Sequence, residues 1–75
     1  MKHLYKAESN AMTFYIVEDF KTNQAIIVDW DLSEEEENEL IVAFENGTLD
    51  YTANGCEWEN PDSAYSGLFC KIRLS

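Results

Sequence analysis

Hydrophobic and polar positions alternate along most of this chain, and the period departs from two in one segment. Met12 to Asp19 reads Met-Thr-Phe-Tyr-Ile-Val-Glu-Asp, rich in the aromatic and β-branched residues that suit a pleated surface. Phe14 and Ile16 point to one side and Tyr15 and Val17 to the other. Both sides are apolar, which predicts a central strand. A polar stretch, Lys21-Thr22-Asn23-Gln24, precedes Ala25 to Trp30, where Ile26, Val28 and Trp30 share a face opposite Ile27. Two such runs with about four polar residues between them predict a β-hairpin.

The period then shifts to that of a helix. Ser33 precedes four consecutive glutamates, and Ser33 with Glu36 has the spacing of a capping box. Acidic residues in the first turn complement the positive end of the helix dipole. Leu40, Ile41 and Phe44 recur at helical spacing, and Asn46-Gly47 suits a left-handed end. These features predict a helix from about 33 to 46. Beyond it, Leu49, Tyr51 and Ala53 alternate with polar residues, and Cys56 and Trp58 alternate with Glu57 and Glu59, so further strand is expected there. Asn60-Pro61-Asp62-Ser63 reads as a turn. Ser66 to Leu74 reads as a half-buried strand, with Leu68, Cys70, Ile72 and Leu74 inward and Phe69, Lys71 and Arg73 outward. His3 to Glu8 is either a short strand or an unstructured lead-in. The order is (β)ββαββ, an α+β domain with one amphipathic helix on a mostly antiparallel sheet of about four strands.

With 75 residues, the expectation is one domain spanning 1–75. Hydrophobic residues at 45% are ample for a core, which argues against wholesale disorder. Ser9-Asn10-Ala11-Met12 is like the scar some cloning vectors leave before a start Met, but such scars sit at the very N-terminus, so a flexible or vector-derived segment over 1–11 is the alternative to a native one. No apolar run has the length of a membrane span or a signal segment, which points to a cytoplasmic protein with reduced thiols at Cys56 and Cys70.

The motifs that would carry chemistry are weak. His3 has no neighbouring nucleophile and lies close to a terminus, where a frayed end cannot hold catalytic geometry. Cys56 and Cys70 are too far apart in sequence for the paired ligands of a structural zinc site. Cys70 reads as a small apolar core residue. Asp29-Trp30-Asp31-Leu32-Ser33 opens like a calcium loop, but Glu34 stands where Gly is needed and Leu40 where the closing Glu is needed. No metal or cofactor is expected. Catalysis by a carboxylate pair needs two groups fixed in a pocket, and an exposed Glu run offers neither. Asn46-Gly47-Thr48 matches the glycosylation sequon and is better read as helix-end chemistry. The chain is not expected to be an enzyme.

What remains is charge. Fifteen acidic residues against five basic ones leave a net charge of −10. That repels nucleic acid and anionic membranes and attracts basic surfaces. The five cations are Lys2, Lys6, Lys21, Lys71 and Arg73; from Thr22 to Cys70 there is none, against twelve carboxylates. A surface tuned only for solubility intersperses both signs. The acids fall in two groups: Asp29, Asp31, Glu34, Glu35 and Glu37 at the helix entry, and Asp50, Glu57, Glu59 and Asp62 around Trp58. These ten residues are the candidate partner-binding face.

In size, charge and order of elements the chain resembles the small acidic inhibitors of phages and mobile elements, DNA mimics among them. A bacterial immunity protein or antitoxin guarding against a basic nuclease fits the same description. The resemblance implies a basic protein partner, such as a nucleic-acid-binding or nuclease complex, with no direct contact to nucleic acid. The alternative is a small domain without inhibitory role, forming a homodimer through an exposed strand edge.

Overall fold

The computed structural model describes every residue from Met1 to Ser75. Four strands and two helices form in the order β1 (Lys2–Glu8), β2 (Thr13–Asp19), β3 (Gln24–Trp30), α1 (Glu34–Asn46), α2 (Pro61–Ala64) and β4 (Phe69–Arg73). The sheet runs β3-β2-β1-β4, and every neighbouring pair is antiparallel. The expected α+β class, with one long helix and a four-stranded antiparallel sheet, is therefore what the chain adopts.

The alternative of a flexible segment over 1–11 does not describe Lys2–Glu8, which lies between β2 and β4 with all seven residues paired to β2. Leu4 and Ala7 are wholly buried. The four residues that look like a vector scar form the turn joining β1 to β2. Ser9 Oγ accepts the amides of Ala11 and Met12 at 3.3 and 3.0 Å, as a serine-headed turn does.

The sheet is covered on both faces. On one, Leu4, Tyr15, Val17, Ile26 and Val28 pack with Leu40 of α1, and Ile41, Phe44, Leu49, Tyr51, Cys56 and Trp58 close around them. On the other, Ala7, Ile16 and Ala25 pack with Ala64 of α2, flanked by Phe14, Ile27, Tyr65 and Leu68. Tyr15 and Val17 thus serve one core, and Phe14 and Ile16 the other, which is why β2 reads as apolar on both sides.

α1 is built as its sequence predicts. Ser33 accepts the Glu36 amide at 3.2 Å while Glu36 accepts the Ser33 amide at 3.0 Å. Gly47, with φ 73°, ends the helix in the left-handed conformation, and its amide bonds back to the Ala43 and Phe44 carbonyls.

Three expectations are corrected. The region 49–59 is not a strand. Asp50 Oδ1 accepts the Thr52 amide at 3.1 Å and the Gly55 amide bonds the Thr52 carbonyl, so the backbone satisfies itself in turns. Only Glu59 makes a ladder contact, a single bridge to Ala25. Trp30 does not share a face with Ile26 and Val28. The β2–β3 register slips between Tyr15 and Ile16, so Trp30 pairs with Phe14 on the opposite face. Cys70 is not a core residue. It is exposed, with φ 55°, where the β1–β4 register shifts.

The two sheet edges differ. The β3 edge is occupied: Ala25 exchanges both backbone bonds with Glu59 at 2.8 Å, and Asn54 Nδ2 donates to the Val28 carbonyl at 2.6 Å. No segment of the chain pairs with the outer edge of β4.

Candidate functional site

The Glu run sits on α1, and the helix distributes it over different faces. Leu40, Ile41 and Phe44 point at the core, and Glu37 lies on the same side. Its carboxylate meets Lys6 Nζ of β1 at 3.2 Å, with only 17% of the Glu37 side chain exposed. The bond to Glu37 raises the Lys6 pKa above its ordinary value. Glu37 is thus a structural partner of the sheet, and its place in the candidate face is corrected. Glu36 is occupied in the capping box. The backbone and hydroxyl of Ser33 hold its carboxyl below the usual carboxylate range.

Glu34 and Glu35 remain free, and a residue that sequence reasoning left out joins them. Glu39 follows Glu35 by one turn on the outward side. Between them and the helix end lies Val42, 54% exposed. An open groove of about 480 Å³ runs along this side, lined by Glu35, Asn38, Glu39, Val42, Asn46 and Thr48 among others. Thr48 reaches it because Gly47 turns the chain back, and the Thr48 amide bonds the Ala43 carbonyl at 2.9 Å. No cation lines the groove.

The other candidates divide into occupied and free groups. Asp29 Oδ1 accepts the Trp30 amide at 2.9 Å and Asp31 Oδ1 accepts the Thr13 amide at 3.0 Å. Asp31 has φ 51°, so it closes the β2–β3 hairpin and turns the chain toward α1. Asp50 is spent on its own turn. Trp58 is half-buried against Tyr51, with ring centroids 5.5 Å apart, and serves the core. Glu57 is exposed; Glu59 uses its backbone on the β3 edge and leaves its carboxylate free. Asp62 lies in the first turn of α2, whose Ala64 packs on the opposite face of the sheet from α1. The ten residues therefore do not form one face. Glu34 and Glu35 belong with Glu39 and Val42 on α1, Glu57 and Glu59 flank the β3 edge, and Asp62 is behind the sheet.

Over the whole cation-free stretch, Glu37 is the one carboxylate of twelve in an ion pair. The remaining ion pairs lie outside it. Lys2 is 3.9 Å from Asp19, and Lys71 Nζ is 2.7 Å from Glu18. Glu18 is 8% exposed and also accepts the Tyr65 hydroxyl at 3.2 Å. Burial, then the Glu18 charge, push the Tyr65 phenol well above its ordinary range. The Lys71 ammonium sits over the rings of Tyr5 and Tyr65, at 4.1 and 4.8 Å from their centroids. His3 belongs to this side of the sheet and is not frayed: its Nδ1 is 3.2 Å from the Tyr5 hydroxyl, and its ring meets Phe20 edge-on.

Cys56 and Cys70 are both free thiols, and no helix is long and apolar enough to cross a membrane. Compared with known proteins, the chain matches no family model, no curated protein and no solved structure.

Proposed function

We propose that this protein binds a basic partner protein through carboxylates of α1, and that the outward side of the helix, Glu35, Glu39 and Val42, with Glu34 at its margin one turn before Glu37, is the centre of that surface. The observation that carries the reading is the contrast in how the acids are used. Where the fold needs a carboxylate, it has a partner, as with Glu36, Glu37 and Glu18. The carboxylates of Glu34, Glu35 and Glu39 have no hydrogen bond or ion pair within the chain; Glu34 and Glu35 complement the helix dipole, but Glu39 lies beyond the first turn, and the three repel one another. Val42 among them offers an apolar contact of the kind found at the middle of interfaces. A basic protein that holds nucleic acid would meet carboxylates at the same cationic surface, and the small protein would act by occupying it.

The test is capture of basic proteins on the immobilised chain, eluted with a salt gradient. Captured proteins should elute early because exposed charge pairs are screened by salt. Changing Glu34, Glu35 and Glu39 to Gln together should abolish capture, and the captured protein should lose its nucleic acid when this chain is added. Capture that ignores both salt and the triple change would overturn the reading.

A further inference from the structure

β4 is displaced in phase by one residue, and this creates a surface that simple alternation hides. Alternation sets Phe69 with Lys71 and Arg73, away from Ile72 and Leu74. In the fold, Glu8 pairs with Phe69 and Lys6 pairs with Ile72, so two residues of β1 span three of β4. The extra residue is absorbed at Cys70, whose φ of 55° is the left-handed backbone of a bulge. Paired residues share a face. Lys6 points toward α1, where it meets Glu37, and Glu8 follows it by the strand's two-residue period. Phe69 and Ile72 therefore stand together on the α1 side of the edge strand. They are 48% and 54% exposed.

The free charges around this pair have one sign. Glu8 lies directly across from Phe69. Glu37 reaches Lys6, the residue across from Ile72. Farther along, Ser75 donates to Glu45 of α1 at 2.9 Å. The two cations of β4 are on the other face. Lys71 is held by Glu18 and the Tyr5 and Tyr65 rings, and Arg73 pairs with Tyr5. The cation nearest the pair on the α1 side, Lys6, is already neutralised by Glu37, and Lys2, at the far end of β1 on the same face, lies beside Asp19 and over the Tyr51 ring.

We infer that Phe69 and Ile72 anchor an amphipathic basic segment of the partner, laid along β4 beside α1 with its apolar side on the two residues and its cations toward Glu8, Glu34 and Glu45. The inference rests on the proposed basic partner and adds where and in what form the partner docks. A second copy of the chain fits less well, because its net charge of −10 would meet the same carboxylates.

The test uses the full chain, isotope-labelled, and three synthetic helical peptides: Leu/Lys amphipathic, Lys/Ser with the same charge, and Leu/Glu. The Leu/Lys helix should shift the resonances of Phe69, Ile72 and Glu8 and bind about ten-fold tighter than the Lys/Ser helix. Changing Phe69 and Ile72 to Ser should remove that difference. Since both side chains are exposed, the variant should keep its thermal melt. Equal affinity for the two Lys-rich peptides, with shifts confined to Glu35, Glu39 and Val42, overturns this inference and leaves the acidic α1 surface standing. So does equal binding of the Leu/Glu helix. So does a dimer in sedimentation that the double Ser change dissolves. Failure of both Lys-rich peptides to bind at low salt overturns the basic-partner reading itself.

Discussion

Replacing Leu4 by Ala tests whether the N-terminal segment is part of the core. Leu4 is 0% exposed and sits among Tyr15, Val17, Ile26, Val28 and Leu40. The change removes three carbons, about 2.4 kcal/mol at ~0.8 kcal/mol per buried carbon. A cavity term adds to this, because β1 is held between β2 and β4 and cannot move inward, so the total is about 3–4 kcal/mol. A chain of 75 residues has roughly 4–11 kcal/mol of stability in all. Leu4→Ala should thus consume about a quarter or more of it and lower the melting temperature by roughly 12–30 °C, at about 4–8 °C per kcal/mol. The assay is urea unfolding followed by tryptophan fluorescence, with Met1→Ala as control. Met1 is 82% exposed and its change should cost no more than about 0.5 kcal/mol. If Leu4→Ala falls within that same small range, β1 is not a core strand. Deletion of residues 1–11 extends the test: it removes the strand that joins β2 to β4, and the remaining chain should not fold.

Further outcomes follow from the same geometry. Ser33→Ala should destabilise the protein by about 1 kcal/mol in urea unfolding, since it leaves the Glu36 amide without its cap. Glu36 has a lower pKa in the folded state than its ordinary 4.5, so its contribution is present above pH 4.5 and disappears as pH falls through the folded value. Acid titration of Glu36→Gln should lack that component. Lys71→Met leaves the buried Glu18 carboxylate without its ammonium and should cost about 1–2 kcal/mol, discounted because the Lys71 side chain is 44% exposed. Adding Glu18→Gln should recover part of the loss in a double-mutant cycle. At high pH, an unfolded tyrosine ionises near its ordinary 10.0 while Tyr65 resists. Stability should therefore fall as pH rises above 10, and less steeply in Tyr65→Phe.

Local chemistry settled much of this protein before any tertiary contact was known. α1 is capped by Ser33 and Glu36 and ended by Gly47, all through bonds spanning a few residues, so its boundaries are legible in the chain. The β2–β3 hairpin is legible for the same reason: its alternation and its turn are local. The acidic character and the absence of cations from Thr22 to Cys70 are facts of the sequence.

Tertiary structure decided the rest, because it depends on partners distant in the chain. β1 is weakly marked, carrying two lysines and a histidine, and becomes central only because β2 and β4 pair with it on both sides. Residues 49–59 alternate like a strand, yet the segment meets the β3 edge only through Glu59 and Asn54 and otherwise closes on itself in turns. Which glutamates are free could not be read from their run, since Glu37 becomes a structural group only when Lys6 arrives from β1. One bulge in β3 turns Trp30 to the other face, and one in β4 brings Phe69 to the side of Ile72. An inserted residue inverts every side chain beyond it, and where it is inserted is chosen by the neighbouring strand.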